Sequence, residues 1–258
     1  MKDIIKSQLF KLKRDKICIF TFFAILLVSL AMLSMMFDLG PDELKTGGEE
    51  VVWSMQMFML LSQFFIYVFA AQMCGADFVD KTCNYEIMSG HTRKQVFFGR
   101  VIPTVIVGTL GALILIAAPL AFEVVYLGWG DKVNFGDMLV RFLLMSFPVA
   151  RLICEYIFLT YLIKNPYIVM GISYVLCIAM GLNIPVGQAH SPILGMTNLN
   201  GLCFIDYWAS YGMGEDMYMI FETALPAGDI ISTIVVSLVF IAGSLFLGYM
   251  FFKNDDMH

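Results

Sequence analysis

Charge is scarce in this chain. Of its 258 residues, 14% are Asp, Glu, Lys or Arg, where an ordinary soluble domain carries about 25%. A water-facing surface needs charge, and there is too little here to cover one. Bilayer lipid is the solvent that removes the need.

Paired metal-binding or redox cysteines are also missing. The six cysteines are Cys18, Cys74, Cys83, Cys154, Cys177 and Cys203, and none forms a C-x-x-C pair. Only Cys203 falls in a segment expected on the outer side of the membrane, so no intrachain disulfide is expected. His91 and His190 stand apart from other ligand types, and neither is assigned to a metal. The chain has no G-x-x-x-x-G-K-[ST] phosphate loop and cannot bind ATP through one. Glu49-Glu50 has no Arg four residues on and no His-bearing partner span, which excludes a paired-glutamate intramembrane protease. Beyond the first 16 residues there is no basic patch suited to nucleic acid. Catalytic residues are therefore expected to be absent.

What is present is long apolar sequence, since 59% of the residues are hydrophobic. Six runs approach the roughly 20 residues that a membrane-crossing helix needs: 17–37, 51–74, 101–125, 138–163, 167–186 and 230–252. Backbone groups cannot stay unpaired in lipid, so these runs must be helices. The first, 21 residues long, exceeds the roughly 7–15 of a signal-peptide core and is expected to be retained. No repeat or low-complexity tract divides the chain, so 1–258 reads as one membrane domain.

Lys and Arg placement sets the orientation. Lys2, Lys6, Lys11, Lys13, Arg14, Lys16, Lys81, Arg93, Lys94, Arg100, Lys164 and Lys253 share one side, against Lys45, Lys132 and Arg141 on the other. The basic side is expected to be cytoplasmic, with both termini on it. The outer segments are acidic. In the longest, 187–228, the apolar patches 202–205 and 218–221 suggest short helices.

Four stretches invite a functional reading. Residues 1–16 form an amphipathic helix, with Ile5, Leu9 and Leu12 on one face and Lys2, Lys6 and Lys13 on another. Such a helix lies in the interface and is drawn to anionic lipid. In the loop 75–100, Thr82 to Met88 can form a short helix that stops at Ser89-Gly90. It is too short to be stable alone, and Tyr85, Ile87 and Met88 are poorly suited to water, which points to a docked partner. Within the spans, Arg151 and Glu155 lie four apart in the fourth, and Gln56 and Gln63 share a face of the second. Intramembrane charges are costly and pair or face a cavity. The first pair is thus a structural salt bridge or a pathway lining, and the glutamines are packing contacts or pathway residues. The small residues Thr104, Gly108 and Ala112 permit close helix contact.

Taken together, the amphipathic start, the short helix, the Ser89-Gly90 turn and the Thr92-Arg93 pair before the third span resemble the type-2 ATP-binding-cassette exporter permeases. The resemblance is greatest to small bacterial permeases for export of, or immunity to, peptide antibiotics. It implies an all-α, six-span membrane fold with an elbow helix at 1–16, a coupling helix in 75–100 and extracellular helices in 187–228. It further implies a plasma-membrane permease with no cofactor of its own. Thr82, Tyr85, Glu86, Ile87, Met88 and Arg93 would couple it to a separate ATPase subunit holding ATP and Mg. A second permease chain, the same or a sibling, would complete the pathway, with membrane lipid around it. The substrate class would be hydrophobic or amphipathic. The alternative reading is an ATP-independent secondary transporter or channel.

Overall fold

The computed structural model describes residues 2–39, 46–79, 82–183, 195–203, 205–211 and 217–254. The helices are α1 (Lys2–Leu12), α2 (Lys16–Leu39), α3 (Gly47–Val79), α4 (Thr82–Met88), α5 (Arg93–Leu127), α6 (Phe135–Leu144), α7 (Ser146–Ile163), α8 (Pro166–Asn183), α9 (Gly195–Cys203) and α10 (Ala227–Lys253). Strands β1 (Asp206–Tyr211) and β2 (Met217–Glu222) form an antiparallel hairpin between α9 and α10.

Five elements are long and apolar enough to cross a membrane: α2, α3, α5, α6 with α7, and α10. The sixth expected span falls on α8, and residues 184–186 lie outside those described. Helices α3 and α5, of 33 and 35 residues, reach about 50 Å at 1.5 Å per residue. That exceeds the roughly 30 Å hydrocarbon core, so both project beyond it. The expected loop 75–100 is consequently mostly helix.

Local chemistry explains the breaks. Thr92 opens α5 with a capping box: its hydroxyl accepts from Gln95 N at 3.3 Å, and Gln95 Oε1 accepts from Thr92 N at 3.1 Å. Lys164 ends α7 in the left-handed conformation (φ 59°). Asn165 Oδ1 then caps α8 by accepting from Tyr167 N at 3.0 Å, and Pro166 occupies the first helical position, where it suits. The expected span 138–163 is not one helix but two, meeting at Met145. Pro148 is the cause. It has no N–H for the Leu144 carbonyl, and its ring crowds that same carbonyl.

Helix α3 is the hub. Its most apolar stretch is 78% buried, against 17% for α2 and α10, and Met59, Ile66, Tyr67, Ala70 and Met73 are fully enclosed. The small-residue stripe of α5 serves packing. A Cβ at Gly108 would come within 2.8 Å of the Phe69 ring, and Thr104 and Ala112 are buried beside it.

The short helices expected in 187–228 are only partly present. Residues 195–203 are helical, but 218–221 lie in β2. In 217–222, Tyr218, Ile220 and Phe221 are strand-favouring residues, and β1 pairs with them directly. Buried Arg141 fastens this segment to α6. Its guanidinium donates to Thr223 O at 2.6 Å, Leu202 O at 3.2 Å and Glu222 O at 3.4 Å. Cys18, Cys74, Cys154 and Cys203 are buried and outside any disulfide. The side chains of Cys83 and Cys177 lie outside those described, as does His190.

Candidate functional site

The basic end of the bundle gathers α1, the end of α3, α4, the start of α5 and the end of α10. Asp77 is its centre. The carboxylate, 5% exposed, forms an ion pair with Arg100, itself 4% exposed. It also accepts from Lys11 Nζ at 2.7 Å and from the Thr82 hydroxyl at 2.9 Å. Arg100 continues the chain of contacts, donating from Nε to Glu86 Oε2 at 3.0 Å. One carboxylate and one guanidinium thus tie four helices together. Buried charges are tolerated only with such partners.

Helix α1 completes this arrangement, with a different face from the one its apolar residues suggest. Ile4 and Gln8 are the buried positions, whereas Leu9 is 39% and Phe10 57% exposed. Gln8 Nε2 donates to Thr104 Oγ1 at 3.2 Å and to Met73 O at 3.3 Å. In a membrane protein the apolar face turns to lipid without penalty, while polar Gln8 and Lys11 need partners inside.

Helix α4 forms at the seven residues expected of it, Thr82–Met88. Its two faces differ sharply. Thr82 and Glu86 turn inward to Asp77 and Arg100, and half-buried Ile87 packs on the core. Tyr85 and Met88 turn outward, 69% and 82% exposed. The turn behind it needs Gly90, which sits at φ 94°, where other residues are strained. Arg93 is occupied elsewhere: its Nη1 donates to Lys253 O at 2.6 Å and Phe252 O at 3.3 Å, satisfying carbonyls at the end of α10.

The intramembrane candidates are apart from this cluster. Arg151 Nε donates to Glu155 Oε1 at 2.7 Å, with the side chains 2% and 29% exposed. The guanidinium also lies 3.8 Å from the Phe240 ring centroid, a cation–π contact joining α7 to α10. Gln63 is fully buried and bonds within α3: its Nε2 donates to Met59 Sδ at 2.8 Å, and its Oε1 accepts from Tyr67 Oη at 3.0 Å. Gln56, on the same face, is half-buried. A further buried polar pair was not foreseen. Ser54 donates to Glu123 Oε2 at 2.8 Å, holding α3 to α5 near their opposite end.

Such a bundle of apolar helices, with a short helix braced across its basic end, is the architecture of a multi-pass membrane transport component. Residues 4–180 match the family described as ABC-2 family transporter protein, a span from α1 through most of α8. The chain belongs to that family and is a membrane component of an ABC transporter. No curated protein matches it.

Proposed function

We propose that this chain is the permease subunit of an ATP-driven exporter, in which a separate ATPase subunit docks on α4. The observation that supports this most is the two-faced α4. A seven-residue helix would fray in water, yet its inner face is braced by Arg100 and Asp77. The outer face offers Tyr85 and Met88, side chains that solvent alone does not favour. A rigid helix with an apolar, partnerless outer edge suits a protein interface better than a loop. Family membership supplies the partner class, an ABC ATPase; in this reading that subunit holds ATP and Mg.

In this reading residues 1–258 are one permease domain in the plasma membrane, with both termini cytoplasmic, as the Lys and Arg asymmetry favours. Helix α1 is the elbow helix and α4 the coupling helix. ATP-driven closure of two ATPase subunits moves α4, and the Asp77–Arg100 contact carries that movement into α3 and α5. Two permease chains, the same or siblings, enclose a pathway for a hydrophobic or amphipathic substrate of the peptide-antibiotic or drug kind.

The test is the double replacement Tyr85→Ala with Met88→Ala. Both side chains are exposed, so the bundle should insert and fold normally. Pull-down of the ATPase should fall, and transport together with permease-dependent ATP turnover in reconstituted membranes should be lost. Normal ATPase binding and normal coupled turnover in this variant would refute the docking role of α4.

A further inference from the structure

At the basic end, a groove of about 300 Å³ runs between α1, α2, α3 and α5. Its floor is Phe65 and Phe69, 4% and 3% exposed. Gly111 makes that floor possible, since a Cβ there would meet the Phe65 ring at 2.9 Å. Phe22 packs edge-on against Phe65, with centroids 5.6 Å apart. The open side is edged by Leu9, Ile19 and Phe23, which are 39%, 38% and 61% exposed. From Lys16 to Phe23 the wall along α2 rises about 10 Å toward the bundle centre.

One charged side chain lines this groove, Lys13. A second apolar groove, between α3, α5 and α6, has none. Of the neighbouring cations, Lys16 is exposed and is not among the lining residues, and two others are engaged elsewhere. Lys11 pairs with Asp77, and Arg14 stacks on the Phe10 ring at 4.3 Å. Asp15, the nearest carboxylate in sequence, is not among the lining residues and is bonded to others: it accepts from Cys18 N at 2.9 Å and from Gln72 Nε2 at 3.4 Å. Among the described residues no carboxylate pairs with Lys13.

We propose that this groove is a binding site for an anionic phospholipid of the surrounding leaflet. One acyl chain lies along Phe65, Phe69 and Val107, and the headgroup phosphate meets the Lys13 ammonium. An apolar trough open to the side, ending in a single cation at the level where α1 joins α2, has the shape and polarity of such a lipid. The bound lipid would wedge α1 against the spans on the side away from its Gln8 and Lys11 contacts. This site does not depend on the docking role of α4.

The test uses the full chain in phosphatidylcholine vesicles doped with a phospholipid carrying a photoreactive group in its acyl chain. The probe is phosphatidylglycerol in one sample and phosphatidylcholine in the other. One lysine near an anionic headgroup supports a preference of about fivefold. Phosphatidylglycerol should label groove residues about fivefold more than phosphatidylcholine. Lys13→Gln should abolish the preference, whereas Lys94→Gln, an exposed lysine elsewhere at the same end, should leave it intact. Ile19→Trp, which fills the open side, should lower groove labelling by both probes. Equal labelling by the two probes, a preference that survives Lys13→Gln, or labelling spread evenly over the outer helix faces would overturn the assignment.

Discussion

Arg100 and Asp77 form an ion pair with both side chains almost fully enclosed, one on α5 and the other near the end of α3. Removing one partner of such a pair leaves a buried charge and costs about 3–5 kcal/mol. Asp77→Ala removes the buried carboxylate that Arg100 pairs with, and takes from Lys11 and Thr82 their shared acceptor, leaving Lys11 the Met73 carbonyl at 3.3 Å. Thermal unfolding in mild detergent should show Asp77→Ala as the most destabilising single change at this end. Glu86→Gln, at a 22% exposed side chain, should cost far less. Equal stability of Asp77→Ala and the parent would show that the cluster holds nothing together.

The Arg151–Glu155 pair is expected to behave as a structural contact. Opposite charges four residues apart on one helix are worth about 0.3–0.5 kcal/mol, and a double-replacement cycle on this α7 pair should return a coupling of at least that size. Phe240→Leu removes the aromatic face while leaving the carboxylate, so it should weaken the α7–α10 contact by a smaller amount. A cycle with no coupling would mean that the two charges act independently.

Arg141 is one fastening of the segment between α8 and α10, beside the Thr223–Asp137 and Asn198–Thr233 hydrogen bonds. Arg141→Ala leaves three carbonyls without their donor, at Leu202, Glu222 and Thr223. Amide hydrogen exchange should then rise across 195–226 while the exchange of α3 and α5 stays unchanged. Uniform exchange in variant and parent would rule out the fastening role.

Orientation is best read from engineered thiols, because the native thiol in the segment expected outside is unsuited to the task. Cys203 is 1% exposed, and burial pushes its thiol well above the ordinary value; it should resist maleimide from either side. Exposed Asp131 and Ser89 lie at opposite ends of the bundle. Impermeant maleimide on sealed cells should label Asp131→Cys and spare Ser89→Cys. The reverse pattern would invert the topology.

Five of the six expected spans, and α4, were legible in the sequence because their signals are local. Apolar runs must be helical in lipid, and Ser89-Gly90 marks a stop wherever it occurs. Asp77 and Arg100 were not legible as partners. Charges at the edges of apolar runs read first as orientation signals, and nothing local says that two of them meet across 23 positions. Helix α1 misled for a related reason: periodicity finds its apolar face but cannot tell a lipid-facing side from a packed one. The apolar patch 218–221 suited a short helix or a strand equally, and pairing with β1 decided it. Of the residues proposed for coupling, Thr82, Glu86 and Arg93 proved to be bonded within the chain and Ile87 packed on the core, which leaves Tyr85 and Met88 as the outward pair. Pro148 was visible throughout, and its meaning for the fourth crossing lay in one missing N–H.

That missing N–H makes the fourth crossing a jointed rod. Between α6 and α7 the backbone has already lost the hydrogen bond from position 148 to Leu144, so flexing there breaks no further rung. Arg141 lies on the α6 side of the joint, and the Arg151–Glu155 pair lies on the α7 side. Helix α9 spans the two, gripped by Arg141 from α6 and packed against α7, so it acts as a splint across the joint and limits how far the rod can bend.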